Sequence, residues 1–108
     1  MGDIRTVDAS LEEHQYTTPA NTTVNVGVAS TQILAANSDR LYAAITNDSD
    51  TEIYLGIGAA AVAGQGVPLT TKGSSYEINW TNLYQGVVNV ICSEADKLLI
   101  VTEGTNDA

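Results

Sequence analysis

Apolar and polar residues alternate along most of this chain, in short runs that each end at Gly, Asn, Asp, Ser or Pro. The run 22–28 carries valines at alternating positions, and the run 52–58 does the same with Ile53, Leu55 and Ile57. Successive side chains of a β-strand point to opposite faces, so this period predicts strands that bury one face. The alternation therefore favours an all-β fold.

The number and spacing of the runs predict a single antiparallel β-sandwich or barrel of about eight short strands, with jelly-roll-like character. A chain of 108 residues is one domain of ordinary size, and a hydrophobic content of 44% is sufficient for one core. The period does not specify strand order, so a sandwich and a closed barrel both stay open. The predicted strands are 22–29, 31–36, 41–47, 52–58, 67–71, 75–80, 87–93 and 97–103.

The breaks between these strands have the composition of tight turns. Residues 37–40, 47–51 and 93–96 are rich in Asn, Asp and Ser, which bond to their own backbone, and they are predicted to be hairpin turns. Residues 82–86 are predicted to form one helical turn closed by Gly86.

Six apolar residues at mid-strand positions are predicted to be largely buried. The single cysteine, Cys92, shares a face with Val88 and Val90 and is predicted to be a small buried hydrophobe. One cysteine forms no internal disulfide, which is typical of a protein made in a reducing compartment. The predicted core residues are Val26, Ile45, Leu55, Ile78, Val90 and Ile100.

The first 21 residues differ from the rest, because they are polar and carry charges of both signs. We predict an extended N-terminal arm over 1–21 and a β-domain over 22–108. The arm has too few apolar residues to pack by itself, so we expect it to order only against a partner. Its candidate contact residues are Ile4, Arg5, Val7, Leu11 and Tyr16.

The formal net charge is −9, from 13 acidic and 4 basic residues. The basic residues are scattered, whereas phosphate binding needs clustered Lys and Arg. We therefore expect no nucleic-acid partner and no adhesion to an anionic membrane. The N-terminus lacks the apolar region of a signal peptide, and no run approaches the roughly 20 residues of a membrane span.

Three patterns resemble functional motifs, and each has a simpler interpretation. Residues 56–61 match G-x-G-x-x-A, but the glycines and the proline that follow favour a loop over the helix that a dinucleotide site needs. Residues 48–52 resemble the start of a calcium loop, yet Ile53 and Ala59 occupy its Gly and Glu positions. His14 could serve as a zinc ligand or a catalytic base, but it is the only histidine, so a surface or contact residue is the simpler interpretation. We predict no catalytic site, no cofactor and no metal, and hence no enzyme.

Aromatic residues offer one candidate binding site. Tyr76 and Trp80 share a strand face, and Tyr84 follows shortly after. This cluster is predicted to contact either a glycan or another subunit. Tyr42 and Tyr54 are predicted to lie on strand faces opposite the core.

The turn and strand motifs also carry a resemblance. The motif Ile53-Tyr-Leu-Gly-Ile-Gly58, together with segments 34–42, 45–50, 73–78, 82–86 and 98–104, resembles small proteins encoded in the structural-gene regions of tailed bacteriophages. The likeness covers roughly residues 24–104 and leaves out the arm.

The resemblance implies a virion component, made in the host cytoplasm. We expect a head decoration (cement) protein that binds the capsid exterior and stabilises the shell. Its expected partner is the major capsid protein, and its expected state is a homotrimer. The alternative is a receptor- or glycan-binding module of a head fibre or tail.

Overall fold

The structure is a computed structural model that describes residues 16–106. It contains eight strands, and each overlaps one predicted strand. Among residues 16–106 no helix is long and apolar enough to cross a membrane. The strands are β1 (Thr18–Val26), β2 (Thr31–Leu34), β3 (Arg40–Asn47), β4 (Ile53–Ile57), β5 (Val67–Leu69), β6 (Ser75–Ile78), β7 (Val88–Cys92) and β8 (Lys97–Thr105).

The strands form two four-stranded antiparallel sheets packed face to face. The first sheet has the order β1-β8-β3-β6 and the second has the order β2-β7-β4-β5. Consecutive strands alternate between the sheets except at β4 and β5, which pair as a hairpin. This connectivity is that of an eight-stranded jelly roll. The all-β prediction is confirmed, and of its two alternatives the structure has the sandwich.

The predicted hairpin turns at 37–40, 47–51 and 93–96 are wrong in one respect. Each joins a strand of one sheet to a strand of the other, so each crosses the sandwich instead of closing a hairpin. Asn, Asp and Ser favour a reversal of the chain without determining which strand the chain pairs with next. The helical turn predicted over 82–86 is also wrong, because residues 83–85 are irregular.

The sheet begins earlier than predicted. β1 starts at Thr18, which pairs with Thr105, so residues 18–21 belong to the sandwich and not to an arm. β1 is an edge strand with exposed polar residues. It includes Pro19, which lacks a backbone N–H, and an edge strand tolerates proline because its outer side has no neighbouring strand to which that N–H would donate. Residues 1–15 lie outside the described part of the chain, and with them the predicted contacts Ile4, Arg5, Val7 and Leu11.

The core lies between the two sheets and confirms five of the six predicted residues. The prediction that Ile100 is buried is wrong, because Ile100 is 37% exposed while its neighbours Leu99 and Val101 are buried. Residues 98–101 are all apolar, so they carry no alternation from which the buried face could be chosen. Cys92 is buried as predicted. The confirmed residues, each fully buried, are Val26, Ile45, Leu55, Ile78 and Val90.

Candidate functional site on the neutral face and the Trp80 turn

Charge is distributed unevenly over the sandwich. The four strands of the second sheet contain no charged residue, and neither does the loop 58–66 that joins β4 to β5. We call the outer face of this sheet, together with loop 58–66, the neutral face. The charges of the described residues lie instead in the first sheet and in the connections between sheets.

Most of these charges collect where β3, β5 and β7 end. Connections 48–52, 70–74 and 93–96 lie there and carry five acidic residues against Lys72, and Lys97 stands at the adjoining start of β8. We call this region the acidic end. Tyr16, with which the described chain begins, lies at the other end of β8, where Thr17 N donates to Thr105 O. Since β8 is nine residues long, the two ends are roughly 26 Å apart.

Buried Asn47 shapes the acidic end. Its Nδ2 donates to Thr51 O at 2.9 Å and to Leu69 O at 2.8 Å. Its Oδ1 accepts from Ser49 N at 2.9 Å and from Ser49 Oγ at 2.7 Å. This side chain therefore holds the 48–52 connection against β5.

Ion pairs at the acidic end are exposed. Lys97 Nζ lies 2.8 Å from Asp50 Oδ1 and 3.7 Å from Glu94 Oε2. The hydrogen bond from Lys97 lowers the pKa of Asp50, and the same bond raises the pKa of Lys97. Pairs of this kind contribute little to stability in water. In the described part of the chain no group of three or more His, Cys, Asp or Glu could hold a metal ion.

Buried Arg40 organises the opposite end. Its Nη1 donates to Tyr84 O at 3.1 Å and to Gly86 O at 2.9 Å, and its Nη2 donates to Ala35 O. Its Nε pairs with Glu103 Oε2 at 2.8 Å, and the arginine side chain is 0% exposed. One guanidinium thus joins the β2–β3 connection, the β6–β7 connection and β8. In the sequence Arg40 is one of four scattered basic residues, and no local pattern indicates this role.

A network of side chains shapes the turn after β6. Asn79 Oδ1 accepts from Thr81 N at 2.9 Å, and Asn82 Oδ1 accepts from Asn79 N at 2.7 Å. Asn82 Nδ2 donates to Glu77 O at 2.9 Å. Trp80 lies in this turn and is 62% exposed. We call residues 79–82 the Trp80 turn.

The predicted aromatic cluster does not form one exposed platform. Tyr76 and Tyr84 are half-buried and pack against the core, whereas Trp80 is well exposed. The Tyr84 hydroxyl lies beside Gly58 and Gly86, where a Cβ on either glycine would collide with it. Of the three predicted residues, Trp80 is therefore the one that presents a wide apolar surface to solvent.

Tyr16, the one predicted arm contact within the described residues, lies against its own domain. Its ring stacks on the ring of Tyr42 with centroids 5.5 Å apart, and it covers Gly104. Tyr42 in turn donates to Glu77 Oε2 at 2.7 Å, and this hydrogen bond raises the pKa of Tyr42 and lowers that of Glu77. Tyr16 therefore holds the start of the described chain against the outer face of the first sheet.

Loop 58–66 folds back over the second sheet, which confirms the predicted loop at the G-x-G-x-x-A pattern. Asn89 Nδ2 donates to Ala59 O at 2.7 Å, and Ala61 N donates to Ser30 Oγ at 2.8 Å. A Cβ at Gly56 would lie 2.7 Å from Ala59 O and 2.9 Å from Ala61 N. Glycine is therefore needed at position 56 for close packing of backbone on backbone.

We expect Gly56→Ala to destabilise the domain by about 1–3 kcal/mol, the usual cost of overpacking. The added methyl group must push loop 58–66 off β4, because the atoms that it meets belong to the backbone. Thermal melting measures the effect. Gly27→Ala is the matched control, since a Cβ at Gly27 would meet nothing within 4 Å. Equal melting temperatures for the two variants would contradict this packing.

The folded-back loop encloses a groove on the neutral face. The groove has a volume of about 220 Å³ and is lined by loop residues and β4. Val62, at its rim, is 48% exposed. The groove and the Trp80 turn are the two parts of the candidate site, and they lie on different surfaces of the sandwich. Only the Trp80 turn is indicated by the sequence pattern.

Comparisons with known proteins give one finding on the fold. No protein-family model matches the chain, and no curated protein matches it either. The structure is similar to the crystal structure of the stem and receptor binding domain of the spike protein P1 from bacteriophage PM2. The TM-score is 0.55 at 19% identity, and the likeness covers 76% of this chain and 31% of that one. At this identity the likeness shows a shared fold.

Proposed function

We propose that the chain is a structural protein of a bacteriophage virion, a decoration or cement protein that binds the outside of the head and stabilises the shell. Two separate lines support this function. The sequence motifs resemble small phage structural proteins, and the fold is shared with part of a phage spike protein. Its partner is the major capsid protein, and three copies form a ring that matches a threefold position of the shell.

The observation that carries the proposal is the polarity of the sandwich. The acidic end and the start of the described chain lie at opposite ends of β8. A protein attached to a shell needs one side for the shell and one for solvent, and an acidic surface is well hydrated. We place the acidic end outward and the end that carries Tyr16 toward the head.

The residues before Tyr16 then start beside the shell. Within them Ile4, Val7 and Leu11 supply apolar anchors, and Arg5 supplies a cation for an acidic group of the capsid protein. Tyr16, which follows this segment, lies on its own sheet in contact with Tyr42 and Gly104. In this proposal the segment before Tyr16 makes the contact with the capsid protein, and the sandwich is the folded domain that it attaches.

Deletion of residues 1–15 tests attachment. We expect the full-length chain to co-sediment with phage heads that lack it and to raise their melting temperature. The truncated chain should keep its circular dichroism spectrum and its own melting temperature, since β1 begins at Thr18, but it should bind the heads at least about tenfold more weakly. If the full-length chain does not co-sediment with heads, the proposed function is wrong. Undiminished binding of the truncated chain would assign the contact to the sandwich.

A second candidate function is a receptor- or glycan-binding module of a head fibre or tail. The exposure of Trp80 favours it, because aromatic rings stack on sugars. The polar groups beside Trp80 weigh against a sugar, since those of Asn79, Thr81 and Asn82 already bond within the turn. A glycan array that compares the wild type with Trp80→Ala distinguishes the two functions. Binding that the variant loses would favour the module over the cement protein.

A further inference from the structure

We propose that copies of this chain associate by inserting Trp80 of one copy into the groove on the neutral face of the next. This contact gives a physical basis for the ring in the proposed function, and it rests on that function only for the number of copies. It assigns a role to the groove under loop 58–66, which capsid attachment leaves unexplained. It also gives a specific role to the exposed tryptophan, which follows β6 at the end of the sandwich that carries Tyr16.

The groove has the size of one side chain. Its volume is about 220 Å³, whereas pockets that enclose small-molecule ligands measure about 300–1,000 Å³. Its lining side chains are apolar except for Gln65, and polar and apolar atoms contribute nearly equally to its surface, which suits an indole ring with apolar faces and one N–H donor. The lining includes Gly56, Ile57, Ala60, Val62, Gln65 and Gly66.

Trp80 has the properties of an interface anchor. The backbone on either side of it is held by hydrogen bonds from Asn79 N and Thr81 N, so little backbone freedom of the turn remains to be lost on binding. Tryptophan is among the residues most enriched at the energetic centres of interfaces. Leu83, three residues further along the chain, is also exposed, at 41%.

Electrostatics favour a contact between copies at these two places. Each copy carries a formal net charge of −9, so copies repel one another wherever acidic surfaces meet. Residues 53–71, which include the groove, contain no charged residue, and neither do residues 78–93, which include the Trp80 turn. Glu77 adjoins the Trp80 turn, and its Oε1 accepts from Asn79 Nδ2 at 2.9 Å. A contact between these segments therefore brings an uncharged groove against a turn with one adjacent carboxylate, and it does not involve the acidic end.

The positions of the two features specify the type of contact. Trp80 follows β6 of the first sheet, and the groove lies on the outer face of the second sheet. Each copy therefore offers a donor surface and a different acceptor surface, which makes the interface heterologous. A heterologous interface closes into a ring when the rotation between copies permits it, as in the proposed trimer.

Trp80 is the only tryptophan, so its fluorescence reports this contact directly. We expect the emission of the wild type to shift to shorter wavelength as concentration rises, in step with formation of a trimer in equilibrium sedimentation. Trp80→Ala removes the inserted ring, and Val62→Asp places a charge at the groove rim. Each should weaken self-association by about thirtyfold or more, as expected of a tryptophan hot spot.

Two further variants serve as controls. Val28→Asp adds the same charge at an apolar side chain that is 67% exposed and lies outside the groove, so it should associate like the wild type. Ala60→Gln obstructs the groove without a charge and should lose association in the same way as Val62→Asp. Melting curves establish that each variant is folded before it is compared.

Mixing two defective variants gives the decisive result. Val62→Asp retains Trp80 but has a blocked groove, and Trp80→Ala retains the groove but has no tryptophan. We expect the mixture to form heterodimers, with a blue shift that comes entirely from the Val62→Asp copy. A mixture without shift or heterodimer, under conditions where the wild type associates, would overturn the contact.

A wild type that stays monomeric at every concentration would also overturn it. A monomer that still binds heads would leave decoration of the head intact and remove only the ring of three copies, so the two failures are distinguishable. Loss of head binding or glycan binding in Trp80→Ala, with a monomeric wild type, would assign Trp80 to that partner instead of to a second copy.

Discussion

Arg40→Met is expected to destabilise the domain by about 3–5 kcal/mol, the cost of removing one partner of a buried ion pair. The substitution removes the cation of Glu103 and the donors of three backbone carbonyl groups, at Ala35, Tyr84 and Gly86. A buried acceptor without a donor costs more than the hydrogen bond contributed. In a domain of this size each kcal/mol lowers the melting temperature by about 4–8 °C.

Lys72→Met is the matched control for this prediction. Lys72 Nζ lies 3.7 Å from Asp48 Oδ1, and the lysine side chain is 73% exposed. Exposed pairs contribute roughly 0–1 kcal/mol, so the control should melt close to the wild type. The melting temperature of Arg40→Lys should fall between those of Arg40→Met and Lys72→Met. A lysine keeps the positive charge, but its ammonium group lacks the planar guanidinium geometry that bonds all of these partners at once. If Arg40→Met melts like Lys72→Met, the guanidinium does not hold the connections together.

Leu55→Ala is expected to cost about 2–5 kcal/mol, the usual range for truncating a buried leucine. Leu55 is 0% exposed and lies in β4 of the second sheet, opposite the core residues of the first. The loss is a large part of the roughly 5–15 kcal/mol by which a domain is stable. Urea unfolding at constant m-value measures it.

Ile100→Ala is the control for the strand register. The structure places Ile100 on the outer face at 37% exposure, opposite Thr23 of β1 and Thr46 of β3. Its truncation should therefore cost well under half as much as that of Leu55. Equal losses would mean that β8 buries the face on which Ile100 lies, since a slip of one residue exchanges the two faces.

The number of strands was predictable from the sequence because each strand buries one face. Alternation reported five core residues correctly and failed at Ile100, where four apolar residues in a row leave both faces equally apolar. The start of β1 was missed because Thr18 and the residues after it form an exposed edge with no apolar face. Alternation of apolar and polar residues indicates a strand with one buried face, so it does not indicate a strand whose two faces are both exposed.

The path of the chain between strands was less predictable. The turn at 47–51 was recognised from its composition, but its crossing between sheets depends on Asn47, whose amide donates to Leu69 O, a carbonyl distant in sequence. The role of Arg40 was hidden for the same reason, because its partners become neighbours only in the folded sandwich. Long-range hydrogen bonds of this kind leave no local pattern.

One of the two parts of the candidate site, the Trp80 turn, was predictable from the sequence, and the groove was not. Trp80 was predicted as a contact residue, but its proposed companions Tyr76 and Tyr84 are half-buried. The groove was hidden in a segment recognised only as a loop. One signal could have indicated it, since residues 53–71 contain no charge in a chain of net charge −9. A long uncharged segment in an acidic protein is informative when its composition is compared with the rest of the chain.

A cryo-electron microscopy map of the phage particle tests the central claim most directly. We expect density for the two four-stranded sheets on the exterior of the head, in groups of three. The chain at Tyr16 should lie toward the shell, and the acidic end around Asp50 and Glu94 should face solvent. Copies found only on a fibre or tail tip, copies with the acidic end against the shell, or heads that carry no copies would contradict the proposed function.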